Sequence, residues 1–390
     1  MWRSTSKNLM PIRTTHVGSL PRSSAIRSIL SQDQPRASPD FEDAVSDAVD
    51  DVVRMQSDIG IDIANDGEQS RLAYSVDVTT RLTGYGNEFA ERDLPADLEE
   101  HPDFAQAALG DIDHIGGPIA EGPIEYVGED DLRGDLQRFR ESVDRLGASF
   151  VDRFHTSPSP GAVLRFTDSS YHESREAYLF DVAEALATEY RIIVESGAIL
   201  QIDAPDLLAS FTIAYKNRSV DDFRDAVRTH VEAINRALRD VPPDRVRLHG
   251  CWGNYPGPHH HDVELGAVID LLYEADVTGL SFEAANPAHG HEHGTIAANP
   301  PPTDWTIVPG VIDVKTNVVE HPETVANRLK HFAEAIDDPD RVIAATDCGF
   351  ETVMSANLVH PKLVWKKLES LVTGAEIASE RISRQRTDRS

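Results

Sequence analysis

Apolar and polar residues alternate in blocks along this chain, and the blocks have two periods. Eight short apolar runs read as strands: 14–20, 61–68, 149–157, 198–205, 245–251, 279–285, 310–316 and 342–348. Most are closed by Gly, Pro or polar residues. Between several of them apolar residues recur at the helical spacing of three to four, over 39–59, 174–196, 220–240, 262–275 and 322–336. Strand and helix in repeated alternation predict an α/β fold, a (β/α)8 TIM barrel with its helices outside. Segment 82–135 breaks this rhythm. It is long, acidic and rich in Gly and Pro, and it follows the second strand. It is expected as an insertion, either a lid at the catalytic face or a peripheral decoration. The expected domain is a single barrel over 11–372. Beyond it, 373–390 loses apolar content and gains arginine, and is expected as a helix end and a loose tail.

Composition narrows the class. Hydrophobic content of 40% supports a real core, and two cysteines exclude a disulfide framework. The first ten residues lack the apolar stretch of a signal peptide, and no run approaches the length that spans a bilayer. A cytoplasmic protein is expected. The net charge is −29, from 66 acidic and 37 basic residues, and lysine is confined to positions 7, 216, 315, 330, 362, 366 and 367. Such a surface argues against nucleic-acid and anionic-membrane partners. It points to a salt-rich, halophilic interior, where ionic strength screens self-repulsion.

The polar residues fall at the strand ends. These read Ser19, Glu68, Asp203, His249, Cys251, Glu283, Lys315 and Cys348. Catalytic groups of such barrels project from the C-terminal ends of strands, and buried charges are costly unless paired or bound to metal. Strand neighbours at i and i+2 share a face, so His249 and Cys251 can bind one ion together. With Glu283 and Cys348 they supply the nitrogen, sulfur and oxygen donors that Zn2+ accepts, in its preferred number. Two thiolates, an imidazole and a carboxylate make the metal a mild Lewis acid, suited to activating a substrate thiol for alkyl transfer. Glu68 and Asp203 suit an ammonium group, and the amides around Gly18 and Ser19 a carboxylate. His16 precedes that pair and is a candidate pocket residue. Trp252 and Phe350 flank ligands, as a dry wall or as ordinary core. The clusters His259–His261 and His289, His291, His293 read as solvated loop residues, with a second metal or a proton relay as the alternative.

These residues resemble a known family. Thr15-His16-Val17-Gly18-Ser19-Leu20-Pro21, Asp66-Gly67-Glu68, Leu200-Gln201-Ile202-Asp203-Ala204-Pro205, His249-Gly250-Cys251, the Glu283 strand end and Asp347-Cys348-Gly349 are similar, in order, to the catalytic half of the cobalamin-independent methionine synthases. The resemblance covers most of 11–372 and implies a zinc-dependent methyltransferase on a (β/α)8 barrel. It implies His249, Cys251, Glu283 and Cys348 as zinc ligands. Val17, Gly18 and Ser19 would bind the carboxylate of homocysteine, and Glu68 and Asp203 its amino group. The implied reaction methylates zinc-bound homocysteine, giving methionine.

Three features depart from the pattern. The full-length enzymes carry a second, N-terminal barrel, and here the catalytic barrel alone is expected. The family's seventh-strand motif has a histidine that protonates the leaving folate. Here that run is Ile312-Asp313-Val314-Lys315-Thr316, which makes Lys315 and Asp313 the candidate catalytic residues, Lys315 as a proton donor if burial lowers its pKa. The tryptophan segment that stacks on folate is not recognisable in 154–172. The methyl donor therefore stays open among a methyl-folate, a methyl-pterin and a methyl-corrinoid, the last supplied by a partner protein. Cys251 to His259 is similar to single-barrel relatives that include the epoxyalkane:coenzyme M transferases. Alkylation of another thiol, and a non-catalytic partner subunit, are the alternative readings. Acids at 68 and 203 favour homocysteine over a sulfonate thiol.

Overall fold

The computed structural model describes residues 11–389, apart from 33–34, 75–76, 92, 110–114 and 355–357. Its main sheet has eight strands: β1 (Arg13–Thr14), β2 (Ile63–Ala64), β3 (Asp152–Pro158), β4 (Ile199–Asp203), β5 (Val246–Gly250), β6 (Gly279–Phe282), β7 (Thr306–Ile312) and β8 (Ile343–Thr346). They run in the order β1-β8-β7-β6-β5-β4-β3-β2, a parallel, near-closed (β/α)8 barrel. Each falls within or across one of the eight apolar runs. The register slips once, between Gly310 and Ile312, where β7 meets β8. Between β1 and β2 the closure is carried by side chains. Asp62 Oδ2 accepts from the Thr14 amide (2.8 Å) and hydroxyl (3.0 Å), and the Thr15 hydroxyl donates to the Ile63 carbonyl (3.0 Å).

The chain groups into two compact units. One comprises described residues of 1–72, 134–155 and 278–390, and holds β1, β2, β6, β7 and β8. Its helix Phe41–Ile59 buries Phe41, Val45, Ala48, Val49, Val52, Val53 and Gln56, the stripe its spacing predicts. The helix stops at Gly60, whose φ of +90° is readily reached only by glycine. The C-terminal helix Pro361–Arg389 corrects the expected loose tail. Ala375, Ala378 and Ile382 are buried, and the Ser379 hydroxyl accepts the Ile12 amide (2.9 Å). A few apolar residues at helical spacing suffice to dock this stretch, although its overall composition is polar.

The other unit comprises 73–133 and 156–277 and holds β4 and β5. Its helix Val220–Leu238 opens on a capping box, Ser219 with Asp222, and buries Phe223, Val227, Val231, Ile234 and Leu238. The insertion after β2 contains two antiparallel strands, Tyr85–Glu91 and Ile115–Ala120, and two short helices, Ala96–Glu100 and Pro102–Leu109. It ends earlier than expected. Residues 129–135 already belong to the helix Glu129–Leu146, because Leu132 and Asp135 are buried. No helix among the described residues is long and apolar enough to cross a membrane.

Candidate metal centre

β5 carries His249 in its last turn of pleat and delivers Cys251 one residue past its end. Cys348 lies just beyond β8. The ligand atoms of His249, Cys251 and Cys348 all lie within 4.8 Å of one another, and all three residues are buried. Both cysteines are free thiols. Zinc bonds to nitrogen and sulfur of about 2.0–2.3 Å put ligand atoms about 3.3–3.8 Å apart, so this donor set fits the ion in chemistry and in spread. The Gly253 amide donates to Cys251 Sγ (3.2 Å). Gly253 holds φ at +116°, and a Cβ there would come within 2.7 Å of the Tyr255 ring, so glycine is needed to aim that amide. Trp252 is fully buried and its indole N–H donates to the Val263 carbonyl (2.8 Å). Phe350, two residues after Cys348, is buried as well.

Glu283, just past β6, is also fully buried, but it is not among the three residues whose ligand atoms converge. Oε2 accepts from Lys315 Nζ (2.6 Å) and from Asn286 Nδ2 (2.8 Å). Lys315 is in turn fixed by Asp313, whose Oδ1 accepts the Lys315 amide (2.8 Å). The Asp313 carbonyl accepts from the buried Lys367 Nζ (2.9 Å), which also pairs with Glu320 (3.0 Å). Lys315 thus stands in an ion pair, and Asp313 shapes the turn that presents it.

Asp347 is the residue that sequence reasoning passed over. Its carboxylate is completely buried, and it accepts the amides of Ala284 (2.9 Å), Ala285 (2.8 Å) and Asn286 (3.0 Å) together with Asn286 Nδ2 (3.0 Å). It ties the segment after Glu283 to the strand end that bears Cys348. Burial first, then the neighbouring Glu283 charge, pushes its carboxyl up to about 6, against the pull of the amides. The carboxylate passes so close to β7 that a Cβ on Gly310 would lie 2.2 Å from Oδ1. The signal was an acid directly before a cysteine at the end of an apolar run.

The candidate substrate residues are buried as well. Glu68 adopts φ +56°, an uncommon conformation for a residue with a side chain and one that recurs at functional sites. Its amide donates to Asp66 Oδ1 (3.0 Å), and its carbonyl accepts from Arg22 (2.7 Å). Asp203 ends a relay in which Arg247 Nε donates to Gln201 Oε1 (2.8 Å) and Gln201 Nε2 to Asp203 Oδ1 (2.7 Å). The Val17 amide donates to the Thr346 hydroxyl (3.3 Å), and Ser19 Oγ accepts the Glu351 amide (3.2 Å). Gly18 lies between them in the same β1-to-helix connection. Gly349 lets this segment approach, since a Cβ there would sit 2.2 Å from Ser19 Oγ. His16 is tied to Gln56 (Nε2 to Oε1, 2.8 Å). His259 has Asp262 Oδ2 at 2.8 Å from Nδ1 and the Tyr255 carbonyl at 3.0 Å from Nε2. His289 lies 3.4 Å from Glu292, His291 is exposed with Nε2 3.7 Å from the same carboxylate, and His293 stacks on His331.

Comparison with known proteins places this geometry. Residues 12–92 and 158–365 match the family described as the catalytic domain of cobalamin-independent synthases. The methionine synthase of Thermococcus kodakarensis is 27% identical over 350 residues, 89% of this chain and 86% of that one. The methionine synthase of Saccharolobus solfataricus is 26% identical over 378 residues, 95% and 96% of the two chains. A B12-independent methionine synthase from Shewanella sp., solved with selenomethionine, shares the fold at a TM-score of 0.70 and 19% identity, over 96% of this chain and 99% of that one.

Proposed function

Because the chain belongs to the family of cobalamin-independent synthase catalytic domains, we propose that it methylates the thiol of homocysteine to give methionine. The observation that carries this reading is the buried convergence of His249, Cys251 and Cys348 in a catalytic domain of that family. It makes the chain a zinc-dependent methyltransferase acting on a thiol. Zinc, when bound, supplies the Lewis acidity that lets a substrate thiol lose its proton near neutral pH while its sulfur stays nucleophilic.

The remaining work falls to the chain. Glu68 and Asp203 are the acids for the substrate ammonium, and the amides of Val17, Gly18 and Ser19 serve its carboxylate. Asp203 suits the task because Gln201 and Arg247 fix its orientation. The new C–S bond forms as the donor's bond to the methyl group breaks and the thiol proton leaves; a folate or pterin nitrogen takes up a proton in exchange, whereas a corrinoid cobalt would keep the electron pair and the thiol proton would pass to solvent. Lys315 holds Glu283 through a 2.6 Å ion pair. That contact supports a role for Lys315 in controlling when Glu283 serves as the fourth metal ligand, more than a role as free acid. Asp313 positions Lys315. The donor is a methyl-folate, a methyl-pterin or a methyl-corrinoid. Two relatives named methionine synthase are matched over 86% and 96% of their own length, so a second barrel is no requirement of that name.

Zinc-edge X-ray absorption tests the proposal. With only the His249, Cys251 and Cys348 site loaded, as in a His260→Ala, His261→Ala double variant, the resting protein should show two sulfur neighbours at about 2.3 Å, and a third should appear on adding homocysteine but not coenzyme M. A third sulfur with coenzyme M alone would transfer the chain to alkylation of a different thiol. No added sulfur with either would remove the thiol role and favour a non-catalytic subunit. Asp203→Asn should raise KM for homocysteine about thirtyfold or more, the equivalent of ~2 kcal/mol for a broken buried charge pair, and leave a thiol without an amino group unaffected.

A further inference from the structure

A second set of metal-ligating side chains gathers at the surface. The ligand atoms of Glu100, His260 and His261 lie within 4.8 Å of one another. Glu100 ends the insertion helix Ala96–Glu100. His260 and His261 follow Cys251 in the connection after β5. Adjacent residues rarely aim at one point. These two do so as the middle residues of a turn that the Asp262 amide closes on the His259 carbonyl (3.3 Å).

The turn is itself anchored to the same short helix. Asp97 Oδ2 accepts the His259 amide (2.8 Å), and its two oxygens lie 2.9 and 3.0 Å from the Tyr255 hydroxyl. Asp97 is completely buried, so water does not compete for these bonds. It delivers His260 Nε2 to 3.0 Å from one oxygen of Glu100 and His261 Nε2 to 2.8 Å from the other. The two imidazole rings stand 4.1 Å apart. All three side chains are about half exposed, with relative exposures of 43%, 40% and 51% for His260, His261 and Glu100, so an ion reaches them from solvent.

Two imidazoles and a carboxylate form the donor set of three-ligand zinc sites that keep a position open to water. Imidazole favours zinc, nickel, cobalt and copper over magnesium and calcium. For binding, each ring turns its Nε2 lone pair to the metal and keeps its proton on Nδ1. We propose that Glu100, His260 and His261 form a second site for a divalent transition ion, and that the ion clasps the insertion helix to the turn following Cys251. The site shares no residue with the first, and it stands whatever His249, Cys251 and Cys348 bind.

Cobalt titration of the metal-free full chain tests this. About two equivalents should bind. One should show the sulfur-to-cobalt charge-transfer absorption of a thiolate site, and the other should lack it. The double variant His260→Ala, His261→Ala should keep the sulfur band and lose the equivalent without it. Glu100→Gln, a milder change, should raise the dissociation constant of that equivalent about tenfold or more. Equal stoichiometry and affinity in wild type and both variants would overturn the site. The clasp is read separately by hydrogen exchange. Zinc should slow exchange of amides in 96–104 in the wild type and not in the double variant, and exchange unchanged by zinc in the wild type would overturn the clasp.

Discussion

Asp347 shows how much one buried carboxylate can organise. Four N–H donors converge on it, three from the backbone directly after Glu283. Asp347→Asn keeps the volume but turns an NH2 group towards donors. It should destabilise the metal-free protein by about 1–3 kcal/mol, measured by denaturant unfolding, and weaken zinc retention by loosening the Glu283 segment. Cys251→Ser should cut zinc content from near one equivalent at the buried site to near zero and abolish activity. Metal analysis with a turnover assay checks this, and full activity in that variant would sink the zinc reading. The convergent residues His249, Cys251 and Cys348 were legible in the sequence because period-two alternation and apolar flanks put chemically unusual side chains at strand ends. The partner of Glu283 was not. No local pattern says that Lys315, on the next strand's end, reaches Glu283, because that contact is set by the stagger of β6 against β7. Nor does any pattern announce that His16 is tied to Gln56 on a helix.

At the scale of elements, the eight apolar runs correspond to the eight barrel strands, and the helical period found Phe41–Ile59, Arg175–Glu195, Val220–Leu238 and Pro322–Ala335. It did not mark Glu129–Leu146 or Pro361–Arg389, and over 262–275 the structure has only the short turns Leu265–Ala267 and Ile269–Leu272. The boundaries that failed did so for a common reason. Composition averaged over 82–135 and 373–390 hid a few buried positions, Leu132 and Asp135 in the first and Ala375, Ala378 and Ile382 in the second. Local chemistry gives sharp expectations here. Ser219→Ala removes one half of the capping box on Val220–Leu238 and should cost about 1 kcal/mol of stability. Gly310→Ala tests the packing of β7 on β8. The new methyl group would meet Asp347 Oδ1 at 2.2 Å and its Cα at 2.5 Å, the latter immovable backbone. A loss of about 1–3 kcal/mol is expected from thermal or denaturant unfolding, and a neutral result would show that the two strands can part.

For the molecule as a whole, a net charge of −29 is a term no single contact balances. Self-repulsion in the compact state is relieved by counter-ions, and the screening length shortens from about 10 Å at 0.1 M salt to about 3 Å at 1 M. The thermal midpoint should therefore rise with KCl over that range, and a midpoint indifferent to salt would remove the salt-rich setting from consideration. This much was readable from composition alone. The closure of the sheet was readable from the eightfold alternation of strand and helix, and it brings β1 to its ladder partner β8, at the far end of the sequence. That pairing sets a timetable. At about 5–20 residues per second on a ribosome, Arg13 and Thr14 wait on the order of tens of seconds for Ile343 and Ala344 to exist. The ladder pairing of the first strand made waits for the last, and Cys348, directly behind the closing strand, arrives at the same moment. A nascent chain stalled short of Ile343 can offer an ion only His249 and Cys251 of the three convergent ligands. Retention of an ion by all three convergent ligands therefore requires a chain made past Cys348.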